Sequence, residues 1–379
     1  MPLPPLAHEL AALDQAGRLR ACPSFDGSSR LRGEHDGRPV TVFCSNDYLG
    51  LAAAPIAPHP GGAGASRLVA GEHDAHRALE RDLARWLETP SALAFTSGYA
   101  ANLGVVSALA QRGDQIISDE LNHASLIDGA RLSRAAVTIV PHLDVDAVHR
   151  ALRGRRAARA WVVTESYFSM DADSPDLAAL RTVCDTHGAA LVVDEAHALG
   201  ALGPDGRGLC AEAGVVPDVL LGTFGKSFGR AGAFVAGGEE LTAWVWNRAR
   251  SFVFSTGLSP AIAEGARWAV LHAASHPELR DRLHENAAAL RRHLAARGVA
   301  VAGFGHIIPV LIGGADPAAN ARAAVEAAAA LRGAGIHVQP IRPPTVPPGR
   351  SRLRVTATAA HTPDDVERAV DAIAAAVRP

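Results

Sequence analysis

Through the middle of the chain, short unbroken apolar runs alternate with stretches whose apolar residues recur every three or four positions. The runs Ala92–Phe95, Gln115–Ser118, Val137–Val140, Ala160–Thr164 and Leu191–Val193 predict buried strands. Between them, Ala100–Leu109, Leu126–Ser133, Val145–Arg153 and Leu177–His187 predict helices. A strand that is apolar on both faces needs cover on both, and intervening helices supply it. The pattern therefore predicts an α/β unit built on a mostly parallel sheet. Right-handed crossovers place strand C-terminal ends on one rim, where ligands bind. Asp119, Glu165 and Asp194 each stand at or just past such an end.

The pattern changes towards the C-terminus. Ile307–Ile312, Ile336–Gln339 and Leu353–Thr356 predict strands, separated by helices over Ala318–Arg332 and Pro363–Val377. This predicts a smaller α+β domain over residues 266–379, after a large domain over 41–265. Residues 1–40 form an N-terminal segment, with a helix over His8–Arg20 and a hairpin turning at Asp36-Gly37. The Ala-, Pro- and Gly-rich run Ala53–Gly64 predicts irregular structure.

Composition narrows the function classes. A hydrophobic fraction of 48% is ample for a large core. A net charge of −2 gives no field for nucleic acid or an anionic membrane. Cys22, Cys44, Cys184 and Cys210 are far apart in sequence, which fits a reducing cytosol better than a disulfide framework or zinc site. The first residues lack a secretory pattern, and no apolar run reaches membrane length. The expectation is a soluble cytoplasmic protein. His73 and His76 form His-x-x-His, but no further ligands cluster nearby, so no metal is expected.

Of 37 basic residues, 36 are arginine, and the one lysine is Lys226. Arginine replaces lysine in most ion pairs but cannot attack a carbonyl, because it does not deprotonate. Lys226 is then either a remnant of compositional bias or a primary amine kept for chemistry. The string Leu191-Val192-Val193-Asp194-Glu195-Ala196-His197 delivers a carboxylate to a strand end, and Lys226 follows Asp194 by 32 residues, after another apolar run. Alone, Asp194 reads equally as a helix cap or a buried ion pair. An acid and a lysine at two strand ends suit pyridoxal 5′-phosphate. That cofactor needs an amine for a Schiff base and an acid to keep its ring nitrogen protonated. Gly225-Lys226-Ser227 looks like the end of a P-loop, but Leu220 stands where that motif needs glycine. Gly61-Gly62-Ala63-Gly64 follows no clear strand and is a weak dinucleotide signal. Thr96-Ser97-Gly98-Tyr99 runs from strand into helix, as an ordinary N-cap or as a phosphate cup. His123 reads as a helix cap or as a stack over a planar cofactor.

Seven ordered motifs carry a family resemblance. They are Asn46-Asp47-Tyr48-Leu49-Gly50-Leu51, Ser66–Gly71 with His73 and His76, Ser97–Asn102, Asn122-His123-Ala124-Ser125, Phe168-Ser169-Met170-Asp171, Val193–His197 and Thr223-Phe224-Gly225-Lys226. Together they resemble the α-oxoamine synthases, pyridoxal-phosphate enzymes with the aspartate aminotransferase fold and its seven-stranded sheet. Ile341–Gly349 and Arg352-Leu353-Arg354 resemble the branch that joins L-alanine to a pimeloyl thioester in biotin synthesis, on coenzyme A or acyl carrier protein. Relatives using another amino acid or acyl group are the alternative.

The resemblance implies roles. Lys226 carries the cofactor and shuttles the α-proton, Asp194 pairs with the ring nitrogen, and His123 stacks on the ring. His197 and Ser169 lie near the ring hydroxyl, and Gly98, Tyr99 and Thr223 near the phosphate. Ser255 or Thr256 reaches the phosphate of a second subunit, which implies a homodimer with shared sites. Arg354 and Asn46 take the amino-acid carboxylate. Thr345 and an N-terminal arginine, Arg18 before Arg20, meet the thioester. Three departures stand out: Ala198-Leu199-Gly200 in place of Gly-Thr-Gly, a short segment between Leu51 and Gly64, and Arg230-Ala231 where small residues are common.

Overall fold

A computed structural model describes residues 6–15, 19, 25–26, 31–56, 58–314 and 316–377. Its centre is a seven-stranded sheet in the order Ser91–Phe95, Ala233–Gly237, Val219–Thr223, Ala190–Asp194, Ala160–Glu165, Gln115–Asp119, Ala136–Val140. Ala233–Gly237 runs against both neighbours, and the remaining pairings are parallel. This is the aspartate aminotransferase-like fold that the motifs imply.

Both faces of the sheet's inner strands are buried, as continuous apolar strands demand, while the edge strand Ala136–Val140 is largely exposed, Ile139 at 69%. Ile117, Val162, Leu191, Val193 and Leu220 face one core, while Ile116, Val163, Val192 and Leu221 face the other. The helices carry ordinary start and stop signals. Ser97 caps Gly98–Leu109 by accepting from the Ala100 amide, and Asp176 caps Leu177–His187 through Ala179. Gly188 closes the second helix at φ 58°, in the left-handed region. Gly222 is glycine because a Cβ there would lie 2.4 Å from the Phe234 ring.

The two ends of the chain pack together. Arg32–His35 and Arg38–Val42 form the hairpin, with Asp36 and Gly37 both at positive φ. The expected strand Ile336–Gln339 is split in two. Ile336–His337 pairs in parallel with Arg38–Val42, whereas Gln339–Ile341 joins an antiparallel sheet with Arg352–Thr356 and Ile307–Leu311. Fully buried Val338 sits at the step between the sheets. Among the described residues the first helix covers Leu6–Gln15, and residues 16–18 and 20 of the expected His8–Arg20 lie outside them. Ala233–Gly237 and the helices Asp74–Leu87, Pro260–Ser275 and Pro277–Ala296 were not among the predicted elements. Among the described residues no helix is long and apolar enough to cross a membrane.

Candidate active site

Strand direction assembles the site. The C-terminal ends of Ser91–Phe95, Ala160–Glu165, Ala190–Asp194 and Val219–Thr223 share one rim. Asp194 stands directly beside Glu165 in the register. Thr223 leads into the turn that carries Lys226, and its hydroxyl accepts from the Gly225 amide at 3.1 Å. A Cβ placed on Gly98 would lie 3.7 Å from Thr223, so the start of the Gly98–Leu109 helix adjoins that turn. First-turn amides have no helical acceptor and suit an anion.

Asp194 is buried and held at both oxygens. Asn102 Nδ2 donates to Oδ2 at 2.6 Å and the Ala196 amide to Oδ1 at 2.8 Å. Asn102 also donates to Ser125 Oγ at 2.9 Å, and that hydroxyl lies 2.7 Å from His123 Nδ1. The acid and the imidazole are thus parts of one network. The His123 amide donates to Glu165 Oε1 at 2.7 Å, which ties the His123 loop to the next strand end. Burial lowers the Lys226 amine below its ordinary value, while Asp194 and Glu165 partly offset that effect. Burial and Asp194 raise the Glu165 carboxyl. A lysine held this way has more free amine at neutral pH than an exposed one. Desolvation by the pocket walls lowers the His123 imidazole, with Asp194 opposing.

A second arm comes from the Arg352–Thr356 strand. Arg352 and Arg354 are two apart and share a face. Arg352 is fully buried and fixes the neighbouring loop through the Met170 carbonyl and Asp171. Arg354 Nε donates to the Ser169 carbonyl at 2.7 Å, and Nη1 to Asn46 Oδ1 at 3.1 Å. Its Nη2 lies 3.4 Å from the Tyr48 hydroxyl, which also meets His197 Nδ1 at 2.7 Å. His197 is held neutral by burial, reinforced by Lys226 and Arg354. A guanidinium carries five N–H groups, so Arg354 keeps donors beyond these three contacts, the kind a carboxylate takes.

Next to His123, Glu165 and the Ser169 loop lies a cavity of about 800 Å³, whose lining does not include Lys226, Asp194 or Arg354. His123, Glu165, Ser169 and Thr345 line it, with Pro343–Pro348 as one wall. An ion triad braces the opposite side. His142 Nδ1 lies 2.9 Å from Asp119 and Nε2 3.2 Å from Asp173, and its ring packs edge-on against Phe168 of the cavity. Burial opposes a charge on His142, but the two carboxylates outweigh it and raise its pKa to about 10. A raised folded-state pKa stabilises fully below the unfolded value near ~6.5, and that contribution is lost as pH climbs through the folded value. His142→Gln is therefore expected to be less stable than wild type by roughly 2 kcal/mol at pH ~6, allowing for solvent screening. The gap should close towards pH ~10. Denaturant titrations across pH check this, and a gap that is constant with pH would refute it.

Not every expected residue joins this constellation. Ser255 and Thr256 line a separate recess with Arg67 and Thr96. Tyr99 is 47% exposed and its hydroxyl meets Asp128. Arg18 and Arg20 lie outside the described residues. His73 and His76 form a capping box at the start of Asp74–Leu87, and His76 Nε2 lies 2.6 Å from the Leu258 carbonyl. Both imidazoles are thus committed to structure. Tyr48, Asn102 and Glu165 were given no site role in the sequence. Asn102 had a signal, because a lone amide among Ala101, Leu103, Gly104 and Val105 must find a buried partner.

Comparison with known proteins places this geometry in a family. The sequence model for class I and II aminotransferases matches residues 38–373. The chain belongs to the class I and II aminotransferase family. An 8-amino-7-oxononanoate synthase of Geobacter sulfurreducens is 44% identical over 386 residues, spanning 97% of each chain. Another, from Bordetella petrii, is 46% identical over 359 residues, spanning 89% of this chain and 88% of the relative. The resemblance to α-oxoamine synthases read from the motifs is thereby shown. A solved structure of SPT with a PLP internal aldimine superposes with a TM-score of 0.89 at 28% identity, over 98% of this chain and 96% of that one. The crystal structure of 8-amino-7-oxononanoate synthase from Francisella tularensis gives 0.75 at 26% identity, over 89% and 97%.

Proposed function

We propose that this protein is a pyridoxal-phosphate-dependent acyltransferase that condenses L-alanine with a pimeloyl thioester to give 8-amino-7-oxononanoate, releasing CO2 and the thiol. The reaction belongs to biotin synthesis. The observation that carries the reading is the placement of the single lysine, half-buried and within electrostatic reach of Asp194, with Arg354, Asn46 and Tyr48 adjoining. Relatives at 44–46% identity bearing the 8-amino-7-oxononanoate synthase name support the choice of reaction.

The residues present fit the cofactor. Lys226 would hold it covalently. Asp194, fixed by Asn102, would pair with the ring nitrogen and keep it protonated. His123 would cover the ring, with Ser169 and His197 toward the ring hydroxyl. Gly98, Tyr99 and Thr223 would hold the phosphate. Bound there, the cofactor supplies an electron sink for negative charge at the amino acid's α-carbon. Arg354 and Asn46 orient the amino-acid carboxylate. The Lys226 amine would take the α-proton, which its larger share of free amine at neutral pH allows. The α-carbon attacks the thioester carbonyl beside Thr345, and the resulting β-keto acid loses CO2.

The same reading makes the protein a cytoplasmic homodimer, divided near residues 40 and 265. Ser255 and Thr256, which line a separate recess and not the cavity beside His123, then serve the partner's phosphate. Phe254, 71% exposed beside them, is an apolar side chain that such an interface would cover.

A panel of amino acids and acyl thioesters, followed by free thiol, tests the reaction. L-Alanine with pimeloyl thioester is expected to exceed glycine, serine and palmitoyl combinations by roughly tenfold or more in kcat/KM, the discrimination that a few pocket contacts supply. A preference for serine or for a long acyl chain would replace this assignment with a sister reaction.

A further inference from the structure

We propose that Arg230 is a positioning residue: its guanidinium holds the Leu51–Ala54 loop on the turn that carries Lys226, and through that loop sets Asn46 and Tyr48 against Arg354. Arg230 is 5% exposed, and all of its side-chain hydrogen bonds go to backbone carbonyls. Nη1 donates to Leu51 at 2.8 Å and to Gly229 at 3.0 Å, so one nitrogen joins loop and turn. Nη2 donates to Ala54 at 2.9 Å. The Arg230 amide donates to the Phe224 carbonyl and the Gly229 amide to the Lys226 carbonyl, which closes the turn around Lys226.

The loop is gripped from its other side by Asp47. That carboxylate accepts from the Leu51 amide at 2.9 Å and from the Ala52 amide at 3.2 Å. Loop amides are thus held by an anion and loop carbonyls by a cation. The contact leaves no slack. Gly229 has φ +59°, and a Cβ there would lie 2.3 Å from the Ala52 nitrogen. Trp268 of the Pro260–Ser275 helix lies 5.5 Å from the guanidinium and backs it. Asn46 and Tyr48, on either side of Asp47, are the groups that touch Arg354. A cation buried against neutral carbonyls gains little net stability, because desolvation offsets its hydrogen bonds. What it does supply is a fixed distance between the lysine turn and the amino-acid arm. Two of the three departures singled out in the sequence, the short Leu51–Gly64 segment and Arg230, thereby meet in one contact.

The proposal rests on reading this site as an amino-acid site, and the test separates the two. L-Alanine affinity of the holoenzyme is read from the absorbance change of the bound cofactor, which requires no thioester. Arg230→Ala is expected to weaken that affinity about tenfold, as loss of charge-assisted hydrogen bonds implies. Guanidinium chloride at millimolar concentration should restore most of it, and equal sodium chloride should not. Arg230→Lys, which keeps the charge but has one donor nitrogen and so loses the second grip on Ala54, should fall between the two and also serves if the alanine variant does not fold. In the apoprotein, hydrogen exchange of a peptide spanning residues 46–56 should quicken in both variants, while a peptide spanning 190–196 should not change. Unchanged alanine affinity, or a loss that guanidinium does not repair together with unchanged exchange, would overturn the proposal. If the wild-type protein responds to no amino acid, the reading of the site fails, and the exchange measurement alone decides the role of Arg230.

Discussion

Lys226→Arg is expected to lower turnover by roughly a thousandfold or more, the scale seen when a reacting group is removed outright. Arginine keeps a cation facing Asp194 and Glu165, so the charge balance of the pocket survives and the fold should hold. What it cannot do is lose a proton and form a Schiff base. Borohydride reduction of the wild-type holoenzyme should fix the cofactor on the peptide that contains residue 226, the one lysine position in the chain. The variant should show neither the attachment nor the visible absorbance of bound cofactor. A variant with normal absorbance and turnover would remove Lys226 from the account.

Asp194→Asn is expected to cost on the order of a hundredfold in kcat, as for removal of a strong electrostatic stabiliser. The structure adds a second reason. Both oxygens of Asp194 accept hydrogen bonds, from Asn102 and from the Ala196 amide. An amide in that position must turn one NH2 against a donor, so charge and geometry are lost together. Asn102→Ala separates the two contributions, since it frees the carboxylate without neutralising it, and its loss should be the smaller. Steady-state kinetics on both variants would measure the difference. Asp194→Asn within twofold of wild type would contradict the role given to the carboxylate.

Much of this architecture was legible because it rests on local signals. The inner strands of the parallel part of the sheet were visible as mostly apolar runs, since both of their faces are buried. Lys226 was visible through composition alone. Other features needed the third dimension. Ala233–Gly237 is a short strand of mostly small residues, and only its pairing with two longer neighbours reveals it. Arg352 and Arg354 share one strand face, yet one reaches the Met170 carbonyl and the other Asn46. Tyr48 stood in the sequence only as one residue of the Asn46–Leu51 motif; it is fully buried, and its hydroxyl joins His197 to Arg354. Periodicity cannot distinguish a buried tyrosine that packs from one that also relays a hydrogen bond. The grip of Arg230 on the 51–54 carbonyls was invisible for the same reason, because it joins segments 176 residues apart.

Decarboxylative condensation is the central claim, and L-alanine labelled with carbon-13 at its carboxyl group tests it most directly. The purified holoenzyme would be given this substrate with a pimeloyl thioester, and labelled CO2, free thiol and product mass would be measured together. One labelled CO2 for each thiol released, with an unlabelled amino-ketone product, is the predicted result. Thiol release without labelled CO2, or a product that keeps the label, would contradict the account.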